Sequence, residues 1–170
     1  MVYLFIYNNY LVAQSLRICS YNVSCYSEIK SVYIKKLRQV HDILLLQEHW
    51  LYNSQSHQIQ DNIPGICCYS VSGMTDTRIT AGRRFGGCAI IWKASLACTV
   101  EPVCIDNTRI FAVKLKLHET SILLCSIYMP CDTTYDDYNM QSYIMVFSDI
   151  LNNNVCNEVG PNYNRGQTQY

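Results

Sequence analysis

The chain carries little charge and no surplus of either sign. Its 170 residues hold 13 Lys and Arg against 13 Asp and Glu, 15% charged in all, for a formal net charge of zero. No basic block stands out, so the usual electrostatic signature of nucleic-acid binding, a clustered excess of Lys and Arg, is missing. A groove that meets phosphate through a metal ion is not excluded by this. With 49% of residues apolar, the chain is also no disordered polyelectrolyte. Long apolar runs are absent at the start: Val2-Tyr3-Leu4-Phe5-Ile6-Tyr7 is broken by Asn8-Asn9. That run is too short to span a bilayer and lacks the basic flank of a secretory signal. We read residues 1–15 as a poorly defined leader and expect no membrane partner.

Cysteine, by contrast, is abundant, with ten residues. None forms a C-x-x-C pair, and no Cys/His group has zinc-ligand spacing. The even number permits a disulfide framework, but such frameworks belong to short, loop-rich secreted chains. Cys19, Cys88, Cys98 and Cys125 instead sit in apolar, strand-like runs, where a free thiol behaves as a small hydrophobe. Reduced core cysteines and an intracellular compartment, nucleus or cytoplasm, are the expectation.

The length suits one domain with one core. From Leu16 the pattern alternates strand and helix. The run 16–23 reads as a strand ending in Asn22. Ser27 caps a helix over Glu28 to His41, with Ile29, Tyr33, Leu37 and Val40 predicted on the buried face and Lys30, Lys35, Lys36 and Arg38 on the wet one. A strand, helix, strand unit of this length implies parallel neighbours. Residues 52–64 read as loop or irregular helix. Strands are predicted at 66–72, 87–92, 96–103, 109–117 and 121–129, then a helix over 135–153 with Met140, Ile144, Phe147 and Leu151 in its core stripe. Residues 154–170 read as an irregular tail.

The segment Asp42-Ile43-Leu44-Leu45-Leu46-Gln47-Glu48-His49-Trp50-Leu51 is the most informative. Its apolar run reads as a strand buried on both faces that delivers Gln47 and Glu48 to its C-terminal end. A carboxylate at such a mouth must be solvated, paired or metal-bound, because burying it bare is prohibitive. Open α/β sheets gather ligand chemistry outside strand ends. Asn22 ends one strand, and Tyr128 ends another just ahead of Pro130, so three strand ends could build one site. Arg83 and Arg84, before Gly86-Gly87, are weaker candidates for holding a phosphate.

Four segments together resemble the endonuclease/exonuclease/phosphatase superfamily: Ser20-Tyr21-Asn22-Val23, Leu46-Gln47-Glu48-His49-Trp50-Leu51, Arg84-Phe85-Gly86-Gly87-Cys88-Ala89-Ile90-Ile91-Trp92 and Ile127-Tyr128-Met129-Pro130. Within it the chain is most similar to the apurinic-type endonuclease domain of LINE (non-LTR) retrotransposons, over residues 16–153. The resemblance implies an α/β (α+β) fold, a two-sheet β-sandwich flanked by helices. It implies a metal-dependent phosphodiesterase acting on nucleic acid, DNA in the retrotransposon case, by attack of water. Glu48 would then hold a divalent metal, Mg2+ or Mn2+. Asn22 would help bind the metal or the scissile phosphate, and Tyr128 would donate a hydrogen bond toward that phosphate.

The family also carries a Gly-Asp-Phe-Asn motif, whose Asp activates the water, and a Ser-Asp-His motif, whose His stabilises charge on phosphate. Neither occurs in these 170 residues, and no histidine follows His118. Asp149-Ile150-Leu151-Asn152 has the wrong spacing and lies in a helical pattern. The expectation is a C-terminally truncated domain that is inactive on its own, with a non-catalytic binding module or a non-functional fragment as the alternative.

Overall fold

The computed structural model describes residues 2–7, 16–74, 84–105, 107, 109–117 and 120–128, together with Gln141, Ile144, Met145 and Ser148. These form a mixed α/β structure of two sheets and two α-helices. In chain order the elements are β1 (Val2–Tyr7), β2 (Ile18–Asn22), α1 (Glu28–Val40), β3 (Ile43–Gln47), α2 (Gln58–Asn62), β4 (Ile66–Val71), β5 (Cys88–Lys93), β6 (Thr99–Val103), β7 (Ile110–Leu117) and β8 (Thr120–Ile127). A 3-10 turn at Asn53–Gln55 precedes α2. One sheet runs β2-β3-β5-β4 and the other β1-β8-β7-β6. Within the first, β2 and β3 are parallel and joined through α1, as the strand, helix, strand pattern predicts. All other pairings are antiparallel.

Alternation along the strands puts the two sheets face to face. Ile43 and Leu45 of β3, Tyr69 of β4 and Cys88 and Ile90 of β5 pack with Phe111, Val113, Leu115 and Leu117 of β7 and Ile122 and Leu124 of β8. The intervening residues Leu44, Leu46, Ala89 and Ile91 point the other way, onto Ile34 of α1 and Ile59 of α2. Every residue of β3 is therefore buried, as its unbroken apolar run requires. β6 carries Pro102 and lies at a sheet edge, where a missing N–H costs nothing. At the N-terminal end of β3, Asp42 is gripped by Lys93 at 2.7 Å and Arg17 at 3.3 Å. These hydrogen bonds, with Arg17 the larger influence, hold its carboxyl well below the usual carboxylate range.

Three expectations need correction. Residues 2–7, expected in a leader, pair along β8 as the outermost strand of the second sheet. Their β-branched and aromatic composition is strand-forming, and the edge of β8 supplies a partner. The second correction concerns α1, which buries Ser31 and Ile34, with Leu37 half-buried beside them, while Ile29 (82%), Tyr33 (48%) and Val40 (54%) are exposed. One polar contact outside the helix favours this roll: Arg38 Nη2 donates to the Gly65 carbonyl, just ahead of β4, at 2.7 Å. In the third case, Ile144, placed in a core stripe, is 59% exposed. Helical period groups residues on a face but does not supply the surface that covers it. Most of the expected helix 135–153 and the tail 154–170 lie outside the described residues.

Candidate functional site

The C-terminal ends of β2, β3 and β8 and the entry to β5 meet at one end of the core. Asn22 pairs with Gln47 in the parallel register, and the loop after β2 is stitched to the loop after β3 by Val23 N–Gln47 O, Cys25 N–Glu48 O and Tyr26 N–His49 O hydrogen bonds of 2.8–2.9 Å. The β8 end joins through Ser126, whose hydroxyl donates to the Leu46 carbonyl (3.1 Å) and accepts from Gln47 Nε2 (3.0 Å). Tyr128 follows two residues later, its N–H on the Arg109 carbonyl and its ring 5.9 Å from the Arg109 guanidinium.

Backbone strain concentrates here. Four described non-glycine residues have positive φ, namely Ser24 (51°), Cys25 (81°), Glu48 (60°) and Trp50 (57°), and all lie in these two loops. Each such residue costs on the order of 1 kcal/mol, and strain of this kind persists where the surroundings fix a functional geometry. Asn22 Oδ1 accepts from Ser24 N at 3.0 Å and so holds the first of those turns. The Asn22 side chain is otherwise exposed.

Glu48 is only 8% exposed. Its Oε2 accepts from the Trp50 indole at 2.9 Å and its Oε1 from the Gly86 N–H at 3.2 Å. Both donors are neutral, and among the described residues no cation forms an ion pair with this carboxylate. Among the described residues this carboxylate is thus held by dipoles alone. No family model matches the chain, and no curated protein does. What the site can do must therefore come from its own residues.

Among the described residues, each oxygen of the Glu48 carboxylate and the Asn22 amide oxygen accepts one hydrogen bond. Among the described residues no group of three or more His, Cys, Asp or Glu side chains gathers to hold a metal. The Glu48 carboxylate is held on Trp50 and Gly86 and the Asn22 amide oxygen on Ser24, each on its own loop. Arg84 is exposed, its guanidinium 5.0 Å from the Tyr52 ring, two residues from the Gly86 that binds Glu48. Arg83 lies outside the described residues.

Three contributors were not singled out from sequence: His49, Ser126 as the partner of Gln47, and Arg109. His49 is fully buried beneath the glycine pair. Its Nε2 donates to the Val71 carbonyl (3.2 Å) and its Nδ1 accepts from Leu51 N (3.1 Å), an arrangement only the neutral ring satisfies. Burial pushes its pKa down to about 4, against weaker opposing backbone hydrogen bonds. Below pH 6.5 the unfolded chain takes up a proton that the fold refuses until about pH 4. Acidification through that window should remove up to about 3 kcal/mol of stability. Urea melts between pH 7 and 4 check this, with His49→Gln expected to flatten the slope. The Asp42 contribution is lost only at still lower pH, because its pKa is depressed from a carboxylate value.

Proposed function

We propose that this chain is a metal-dependent phosphodiesterase domain of the endonuclease type, related to the apurinic-type endonucleases of LINE retrotransposons. On this reading the two-sheet core has the endonuclease/exonuclease/phosphatase fold. The observation that carries it is Glu48: a buried carboxylate at the end of a central strand, fixed by two neutral donors, one residue past the Gln47 that pairs with Asn22 and at the same end as Tyr128. Mg2+, or Mn2+ in its place, would be held by Glu48 and Asn22 and, when bound, would polarise phosphate oxygens. Glu48 supplies negative charge already oriented, so little reorganisation accompanies cation capture. Asn22 offers its amide to the same cation or to a phosphate oxygen. Tyr128 and the Arg84 and Arg109 guanidiniums offer donors to a phosphate, and DNA is the substrate class the resemblance favours.

These 170 residues contain neither the water-activating Asp motif nor the charge-stabilising His motif. Lack of a positioned base costs a factor of about 100 to 10,000, and lack of transition-state charge stabilisation about 100 to 1,000 more. The polypeptide by itself is therefore expected to bind the metal without turning over DNA. Titration with Mn2+ should broaden the NMR signals of Asn22 and Glu48 first, and Glu48→Gln should abolish that broadening. Nicking of supercoiled DNA with Mg2+ should stay at background. Broadening centred elsewhere, or nicking that is unchanged in Glu48→Ala, would overturn the assignment.

A further inference from the structure

The roll of α1 leaves one of its long faces apolar and in water. Ile29, Val32, Tyr33 and Val40 are 82%, 52%, 48% and 54% exposed, the main cluster of large exposed apolar side chains among the described residues. Together with Lys36 they fall at i, i+3, i+4, i+7 and i+11, so they line up as a single stripe. The buried residues of the helix, Ser31 and Ile34, lie on its other side. Single exposed apolar residues are ordinary, but a contiguous stripe of them marks an interaction surface. This one is braced from beneath. The Tyr33 ring lies 5.1 Å from the Tyr21 ring of β2, with Lys30 Nζ 6.0 Å from the Tyr21 ring, so docking here has little left to order.

Charge narrows what fits the stripe. The helix has a single acid, Glu28, in its first turn, and exposed Lys35 and Lys36 further along. Among the described residues none of these three forms an ion pair. A helix that is acidic at its start and basic beyond its middle is complementary to a second copy of itself laid antiparallel. Centred on Val32, such a pairing interleaves Ile29, Val32 and Tyr33 of the two copies and sets Glu28 opposite the partner's Lys36. Twofold symmetry makes that ion pair twice. A parallel pairing would instead set Glu28 against Glu28 and Lys36 against Lys36, which repel.

We propose that α1 is a self-association surface, through which two copies of the chain pair antiparallel about a twofold axis. Lys36 suits the middle of this contact: its methylene stem covers apolar surface while its ammonium reaches the rim and the partner's Glu28. The interface is small. A few side chains from one helix of each copy fall well short of the roughly 1,600 Å² buried in a standard protein–protein interface. The dimer is therefore weak and forms as concentration rises, and its surface ion pairs set the orientation more than the strength.

Sedimentation equilibrium of the full chain over about a hundredfold range of concentration tests the pairing, with circular dichroism to show that each variant is folded. The apparent mass should climb from one chain toward two. Val32→Asp, at the centre of the contact, should hold the chain monomeric throughout. Glu28→Lys should weaken association about tenfold, because it turns two attractions into two repulsions. Combining it with Lys36→Glu should recover most of that loss, since the exchanged charges are again complementary when antiparallel. A monomer at every concentration, which would leave the stripe to a different partner, overturns the proposal. So does a dimer that Val32→Asp leaves intact, or a charge exchange that recovers nothing.

Discussion

Gly87→Ala should destabilise the fold by about 2–4 kcal/mol, out of proportion to the single methyl group it adds. Gly87 has φ of +87°, where an L side chain costs roughly 1 kcal/mol. Its added Cβ would lie 2.4–2.8 Å from three atoms of the His49 ring, closer than any real contact. The ring cannot swing away, because it is fully buried and bonded at both nitrogens. Overpacking of this sort adds about 1–3 kcal/mol. Gly86→Ala is the matched control: its φ of +69° carries the same backbone cost, but nothing lies within 4 Å of its Cβ. Urea midpoints of the two variants should differ accordingly. If they coincide, the close packing of His49 under this turn is not what requires glycine.

Gln47→Leu should cost about 2–4 kcal/mol even though leucine fills similar space. Gln47 is 5% exposed, and its Nε2 shares two hydrogens among Ser20 Oγ, the Leu45 carbonyl and Ser126 Oγ at 3.0–3.1 Å. Removing it leaves the fully buried Ser126 hydroxyl with an unmet acceptor, in a place water does not reach. Ser126→Ala alone should cost less, because it takes both the donor and the acceptor away. A double-mutant cycle by chemical denaturation should give a coupling of about 1 kcal/mol between the two residues. Strict additivity would show that the seam between β3 and β8 is held by apolar packing alone.

Much of this fold is legible in the sequence. The unbroken apolar run of β3 announces a strand covered on both sides, and it is covered by α1 and α2 on one side and by β7 and β8 on the other. The alternation of Phe111, Val113, Leu115 and Leu117 against Lys114 and Lys116 gives the orientation of β7 outright. Legibility fails where a polar contact outweighs hydropathy. The roll of α1 depends on Arg38 reaching the Gly65 carbonyl, 27 residues away, and no local period reports that. The same holds at the site. A strand-end carboxylate can be suspected from its position, but the donors that hold Glu48 come from Trp50 through a positive φ and from Gly86 across the sheet. The glycine pair was the available signal: two successive glycines ahead of an apolar strand mark a place where backbone must approach something closely, here a histidine ring and a carboxylate.

The order β2-β3-β5-β4 has a kinetic consequence for the site. β3 has a hydrogen-bonded neighbour on each side, so Glu48 rides on a strand whose amides are released only when the whole sheet comes apart. Among the described residues β2 is bonded on one side alone and is only partly covered along its length, so Asn22 sits on a strand that can open by itself. The two halves of the candidate cation site thus live on different clocks, one set by global unfolding and one by fraying of an edge. Any ligand that bridges Glu48 and Asn22 must hold that edge closed, and part of its binding free energy goes into doing so.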